Sequence, residues 1–253
     1  MPPVPEPPAV SLVTTVYNVA AFIKEAAVSV LSQRFTDFEW IVYDDGSTDG
    51  SAATLLEAAG GDPRVRLIRG DTNTGPGPAL HAATALATAP LIGWLDADDR
   101  LHPDALKLTR AYLHERPHIG LVYTHHRLID AAGRVGPPPQ RQRIPYSRQR
   151  LLTDFMTFHF RLYRQEVAAS VGGVPGDLPA ANDYDFCLRM SEACEIRCLP
   201  RPLYDYRVHR GSVSGTRRLE QIQSSAEAIR RALARRSMPE TLHVEYNARF
   251  RLT

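Results

Sequence analysis

The chain has 253 residues, 43% of them hydrophobic and 23% charged, an ordinary globular balance that can hold one substantial core. Its formal charge is +2, so no global field draws it to nucleic acid and any electrostatic chemistry must be local. The opening "MPPVPEPPAV" is proline-rich and acidic where a secretory leader needs basic residues and then an apolar run. No stretch approaches the roughly 18 to 20 apolar residues of a spanning helix. A soluble, cytoplasmic chain is expected, and Cys187, Cys194 and Cys198, odd in number and clustered, read as free thiols of a reducing compartment.

In chain order, "AVSLVTTV" (9–16) predicts a strand, followed by a helix near 21–32. "FEWIVYDD" (38–45) predicts a second strand and 49–59 a second helix. "RVRLI" (64–68) and "LIGWLD" (91–96) bracket a third helix near 79–87. Such βαβ alternation implies an α/β fold with a mainly parallel sheet and helices on both faces. A helix from Pro103 to about Glu115, with proline in its first turn, leads to the strand "IGLVYTHH". There the alternation stops. "VGPPPQRQRIPYSRQR" (135–150) mixes proline and arginine and reads as a loop without regular structure, either a solvated excursion or a mobile basic loop beside an anionic substrate. "MTFHFRLYRQEVAASVGG", the helix-length "DYDFCLRMSEACE" and the strand-like "RPLYDYRVH" predict a smaller mixed lobe. From Leu219 to about Arg236, Leu219, Ile222, Ala226, Ile229 and Leu233 recur at steps of three and four, an amphipathic helix with a cationic end. It either docks on its own domain or contacts a membrane surface, at the inner face, or a second copy.

Ligands in open parallel sheets bind outside the carboxyl ends of the strands. Three polar motifs sit there: "TTVYN", "YDDGSTDG" and "DADD". Neither a P-loop nor a G-x-G-x-x-G fingerprint follows the first strand. Asp96, Asp98 and Asp99 crowd three like charges into four positions, which calls for a positive partner. A hard divalent cation, Mg²⁺ or Mn²⁺, bound to diphosphate oxygens satisfies that need. Asp99 alternatively caps the next helix, and Asp45 the second helix.

The ordered set "VSLVTTVYN", "WIVYDDGSTDGS", "NTG" and "LIGWLDADD" resembles the donor-binding half of glycosyltransferase family 2, inverting enzymes of the GT-A fold. The segments "FHFRLYRQEVAASVGGVPGDLPAANDYDFCLRM" and "RPLYDYRVHRGSVS" resemble its acceptor-side and closing segments, and together the likeness spans residues 9–215. It implies a GT-A type, Rossmann-like sheet with a donor-binding half (9–99), an acceptor-binding and catalytic half (100–215) and a C-terminal helix and tail (216–253). It further implies that Thr15 and Tyr17 line the nucleoside pocket, that Asp44 accepts a hydrogen bond from base or ribose, and that Asp96 lies toward the ribose and metal. Asp98 and His209 then hold the metal, and Asp183 is the general base.

The expected reaction moves a sugar from a nucleotide-diphospho-sugar, a UDP-sugar by expectation, to an acceptor hydroxyl. A binding module without catalysis and a sugar nucleotidyltransferase are the alternatives. Two positions depart from the family pattern: Asn182 stands where glutamate is usual, and Leu80-His81 where Arg-Asn is common. The first puts acceptor recognition in question and the second a donor contact, for which the arginines of 135–150 are candidate replacements. Asp185 competes with Asp183 as the base, or else caps its helix.

Overall fold

The structure, a computed structural model, describes residues 6–209, 211 and 218–239. One eight-stranded sheet runs through it in the order β3-β2-β1-β4-β7-β6-β8-β5. The strands are β1 (Val10–Val16), β2 (Phe38–Asp44), β3 (Val65–Arg69), β4 (Leu91–Trp94), β5 (Arg100–Leu101), β6 (Ile119–Ile129), β7 (Arg161–Arg164) and β8 (Glu195–Arg207). The helices are α1 (Ile23–Leu31), α2 (Ser51–Ala59), α3 (Pro76–Ala85), α4 (Ala105–His114), α5 (Gln165–Ser170), α6 (Asn182–Ala193) and α7 (Arg218–Arg235).

The first four strands pair in parallel, and β6 pairs in parallel with β8. Antiparallel β7 joins β4 to β6. The second half of the chain therefore extends the first half's sheet.

Strands β1 and β2 are buried on both faces because helices cover both sides. Alternate residues serve opposite cores, as a two-residue period requires. Leu12, Trp40 and Val42 pack with α1, α2 and α4, whereas Val13 and Ile41 pack with Trp94, Phe186 and the α3, α6 and α7 side. Buried Glu39 crosses between elements, accepting bonds from Ser11 Oγ (2.6 Å), Thr88 Oγ1 (2.6 Å) and N (2.9 Å), and Arg66 Nη1 (3.0 Å).

Most predicted elements form within a few residues of their expected limits, with three corrections. Helix α3 begins at Pro76, three residues before the expected Ala79, because proline fills its first position directly after Gly75. Strand β8 begins at Glu195 and is much longer than "RPLYDYRVH", because its pairing with β6 extends through irregular register around Thr124–His126. The 135–150 segment carries a short 3₁₀ turn at Gln140–Arg143. It is tethered where Gln142 Oε1 accepts from His126 N (3.2 Å) and where Ile144 and Tyr146 enter the core.

The C-terminal helix docks on α6 with Ala228 and Ala232 fully buried. Its cationic end is largely spent on this contact: Arg235 and Arg236 bind Glu192 at 2.7 and 3.1 Å, and Arg231 binds Asp177 at 2.8 Å. Among the described residues no helix is long and apolar enough to cross a membrane.

Candidate functional site

On the first side of the site, β1 and β2 end together, with Thr15 beside Tyr43 and Val16 beside Asp44. Thr15 is half-buried and Tyr17 is 44% exposed. Asp44 is fully buried; its Oδ1 accepts from Ser47 N (2.9 Å) and its Oδ2 lies 3.3 Å from Arg69 Nε. Gly46 turns the chain at φ +78°, where a Cβ would stand 3.0 Å from the Thr72 carbonyl carbon, so both conformation and space demand glycine.

Asp45 is not a helix cap. Its carboxylate accepts from Thr74 Oγ1 (2.8 Å), Thr74 N (3.0 Å) and Gly75 N (2.9 Å), which pins "NTG" against the end of β2.

Parallel pairing puts β4 on the other side of β1, so "DADD" opens next to "TVYN". Asp98 Oδ2 lies 2.9 Å from His209 Nε2, joining the end of β4 to the end of β8. Asp99 is buried at 1% exposure and accepts from Arg207 N at 2.6 Å. It therefore ties β4 to β8 and does not cap α4, whose N-cap position is Asp104.

Asp96 keeps 49% of its side chain accessible and lies 3.4 Å from His159 Nε2. Partial desolvation, then the charges of Asp98 and Asp183, push its carboxyl above the ordinary range against the opposing pull of Arg161. Desolvation and the same crowding by Asp98 and Asp96 raise Asp99 as well.

Buried Arg207 braces this loop. Its Nε donates to the Asp98 carbonyl (2.6 Å), its Nη2 binds Glu25 (2.8 Å), and its guanidinium lies 4.9 Å from the Phe22 ring centre. Phe22 in turn packs on His209 with centroids 4.6 Å apart.

The third part comes from α6. Asp183 stands in its first turn, 31% exposed, with Oδ2 2.8 Å from Arg161 Nη2. Arg161 begins β7, which runs antiparallel beside β4, so its partner Asp183 lies at the end of the sheet where the acidic loop follows β4. Asp185 lies elsewhere: it is 2% exposed and binds Arg189 at 2.9 Å. Residue Ala181 occupies the N-cap without a side-chain bond, so Asp185 does not cap the helix.

The two sequence departures are both packing features. Asn182 Nδ2 donates to the Pro175 carbonyl (3.0 Å) and sits against Gly77, where a Cβ would come within 2.0 Å of it. His81 Nδ1 meets the Val174 carbonyl at 2.7 Å.

The structure thus gathers Asp96, Asp98, His209 and Asp183 at one end of the sheet, with Thr15, Tyr17 and Asp44 at the neighbouring strand ends. A carboxylate oxygen and an imidazole nitrogen side by side, in a loop with excess negative charge, fit a hard divalent cation that takes its other ligands from a diphosphate. Among the described residues no group of three or more His, Cys, Asp or Glu forms a metal cage. Sequence reasoning did not single out His159, Arg161, Glu25 or Arg207. The signal available was an arginine or histidine inside the otherwise apolar strand runs "FHFRLYR" and "LYDYRVH", where burial demands a partner.

Residues 11–172 match the family model for glycosyl transferase family 2. Chondroitin synthase of Escherichia coli is 32% identical over 229 residues, covering 90% of this chain and 33% of that protein. Hyaluronan synthase of Pasteurella multocida is 31% identical over 208 residues, covering 82% of this chain and 21% of that protein. The chain thus spans about a third or less of the length of these relatives. Among solved structures, S. aureus TarS 1-349 in complex with UDP-GlcNAc superposes with a TM-score of 0.69 at 21% identity, covering 89% of this chain and 72% of that one. Mannosyltransferase PcManGT from Pyrobaculum calidifontis, in complex with GDP-Man and Mn2+, gives 0.66 at 20% identity, covering 92% and 65%. The α/β fold is that of these glycosyltransferases, and by the family match and the identity to curated relatives the chain belongs to glycosyl transferase family 2.

Proposed function

We propose that the chain is a metal-dependent inverting glycosyltransferase that moves a sugar from a nucleotide-diphospho-sugar, a UDP-sugar first among them, to an acceptor hydroxyl. The observation that carries this reading is the meeting of Asp98 with His209 at 2.9 Å, at the same sheet end where Arg161 holds Asp183 at 2.8 Å. In this reading the 9–99 half binds donor and the 100–215 half binds acceptor. Thr15, Tyr17 and Asp44 face the nucleoside, the Tyr17 ring offering a surface for the base, and Asp96 faces the ribose.

Asp98 and His209 would hold Mn²⁺ or Mg²⁺, which when bound neutralises charge on the departing diphosphate. Asp183 accepts the proton of the acceptor hydroxyl as that oxygen bonds to the anomeric carbon from the face opposite the nucleotide. The old bond to the diphosphate breaks, and its electron pair leaves with the nucleotide. Asp99 and Arg207 hold the loop in shape.

Two of the relatives are named for chondroitin and hyaluronan synthesis, so oligosaccharides of those polymers are the first acceptors to try. UDP-GlcNAc and GDP-mannose, bound in the structural neighbours, are the first donors.

Calorimetric titration of UDP with Mn²⁺ and with EDTA tests the metal directly. Tight binding is expected only with Mn²⁺, and Asp98→Ala should abolish that difference while UDP binding in EDTA stays as in the parent chain. Equal affinity in both buffers would remove the metal from the mechanism.

A further inference from the structure

Arg161 is one of the largest fully buried side chains in the molecule, 1% exposed at the first position of β7. A guanidinium removed from water is costly unless its charge and donors are met. Here they are met unevenly. Its Nε donates to the Thr157 carbonyl at 2.5 Å and its Nη2 to Asp183 Oδ2 at 2.8 Å, while its Nη1 is buried with no protein partner. The Trp94 and Phe155 rings flank the group, their centres 5.8 and 5.2 Å from its central carbon. The backbone tie and the two rings fix the plane of the fork. The one carboxylate it grips among the described residues is Asp183, which is 31% exposed. The clamp is on Oδ2, and the rest of this partly exposed carboxylate reaches the surface of the site.

We propose that Arg161 is the positioning residue of the base: it holds Asp183 through Oδ2 so that Oδ1 is presented to the acceptor hydroxyl in a single orientation. The inference rests on the reading of Asp183 as the base. A base must lie within hydrogen-bond reach of the proton it takes, and an aspartate on the first turn of a helix would otherwise be free to turn about its side-chain bonds. A buried, backbone-anchored arginine restricts that motion without itself touching the acceptor. A purely structural arginine would be expected to finish its bonds inside the core. This one spends its charge on a carboxylate that stands at the surface of the site.

The test is a double-mutant cycle on the full chain. It reads turnover by UDP release from UDP-GlcNAc with chondroitin or hyaluronan oligosaccharides, and donor binding by UDP–Mn²⁺ calorimetry. Arg161→Met should lower turnover on the order of 10²-fold, as expected when a reacting group is displaced by about 1 Å. UDP affinity should stay within about twofold, and Arg161→Lys, which keeps the cation but not the fork, should recover only part of the loss. In an Asp183→Asn background the same changes should cost nothing further, because residues that act as one unit are not additive.

Asp183→Glu keeps the carboxylate on a side chain that folds at the surface of the site, so it tests positioning even if the arginine variants misfold. It should also lose turnover by at least about tenfold. Full extra loss in the Asp183→Asn background, weakened UDP binding, or unchanged turnover in Asp183→Glu would each overturn the role. If Asp183→Asn alone kept parent turnover, the base itself would be misassigned and the role of Arg161 would fall with it. That result is distinct from an impaired Asp183→Asn with additive arginine effects, which refutes the positioning role alone.

Discussion

At the scale of single residues, Gly77 and Asn182 form one contact between helices far apart in the chain. The backbone of α3 approaches α6 so closely that a methyl group at Gly77 would overlap the Asn182 amide at 2.0 Å and the Leu178 carbonyl at 2.6 Å. Gly77→Ala should therefore lower the unfolding free energy by about 1 to 3 kcal/mol despite alanine's better helix propensity, as overpacking does. Urea denaturation checks it, and an unchanged or raised midpoint would show that α3 can shift freely. The same contact explains the unusual asparagine: its amide is committed to Pro175 and Gly77, so its packing accounts for it without acceptor contact. The sequence could supply the identity of Asn182 but not its neighbour, since Gly77 lies 105 positions earlier (182 − 77). The aspartates divide in the same way. Their positions at strand ends were readable, but whether Asp45, Asp99 or Asp185 capped a helix depended on partners supplied by "NTG", β8 and α6 itself.

At the scale of elements, the strand ladder is locked by Glu39, one acidic side chain that reaches β1, β3 and the segment after α3. Burial alone would raise its carboxyl, but the bonds from Ser11, Thr88 and Arg66 outweigh it and hold the group below its ordinary range. A depressed folded-state value means that the stabilisation is fully present above the unfolded value, about 4.3, and is lost as pH falls through the folded one. Glu39→Gln should lower stability by about 1 to 3 kcal/mol at pH 7, the cost typical of a lost charge-assisted network. The gap from the parent should narrow as pH drops below about 4. Thermal melts between pH 3 and 7 would show this, and a gap independent of pH would assign the loss to packing. Elements of this half were legible because βαβ alternation leaves a strong period in sequence. In the second half, β7 is four residues long and β8 carries two prolines, Pro200 and Pro202, so neither gives a clean alternating pattern. The amphipathic C-terminal helix was readable as a helix; that it docks on α6 was not, because Glu192 and Asp177 lie in other elements.

At the scale of the whole molecule, one continuous sheet carries every part of the proposed machinery to one end. Parallel strands β1, β2 and β4 deliver the "TVYN", "DDGS" and "DADD" motifs. Antiparallel β7 brings Arg161, and β8, parallel to β6, brings His209 back against Asp98. That convergence depends on long-range pairing and is invisible in a linear reading, whereas the order of motifs along the chain sufficed to suggest the family and the end of the sheet to inspect. If this end of the sheet transfers sugar with Asp183 as base, the direct measurement is turnover against donor affinity for Asp183→Asn. A positioned base contributes about 10² to 10⁴ in rate and acts in the transition state, not in donor binding. The expected result is a loss of that size in UDP release from UDP-GlcNAc with chondroitin or hyaluronan oligosaccharides, with UDP–Mn²⁺ affinity within about twofold of the parent. Near-parent turnover in Asp183→Asn, with its fold and donor binding intact, would contradict it.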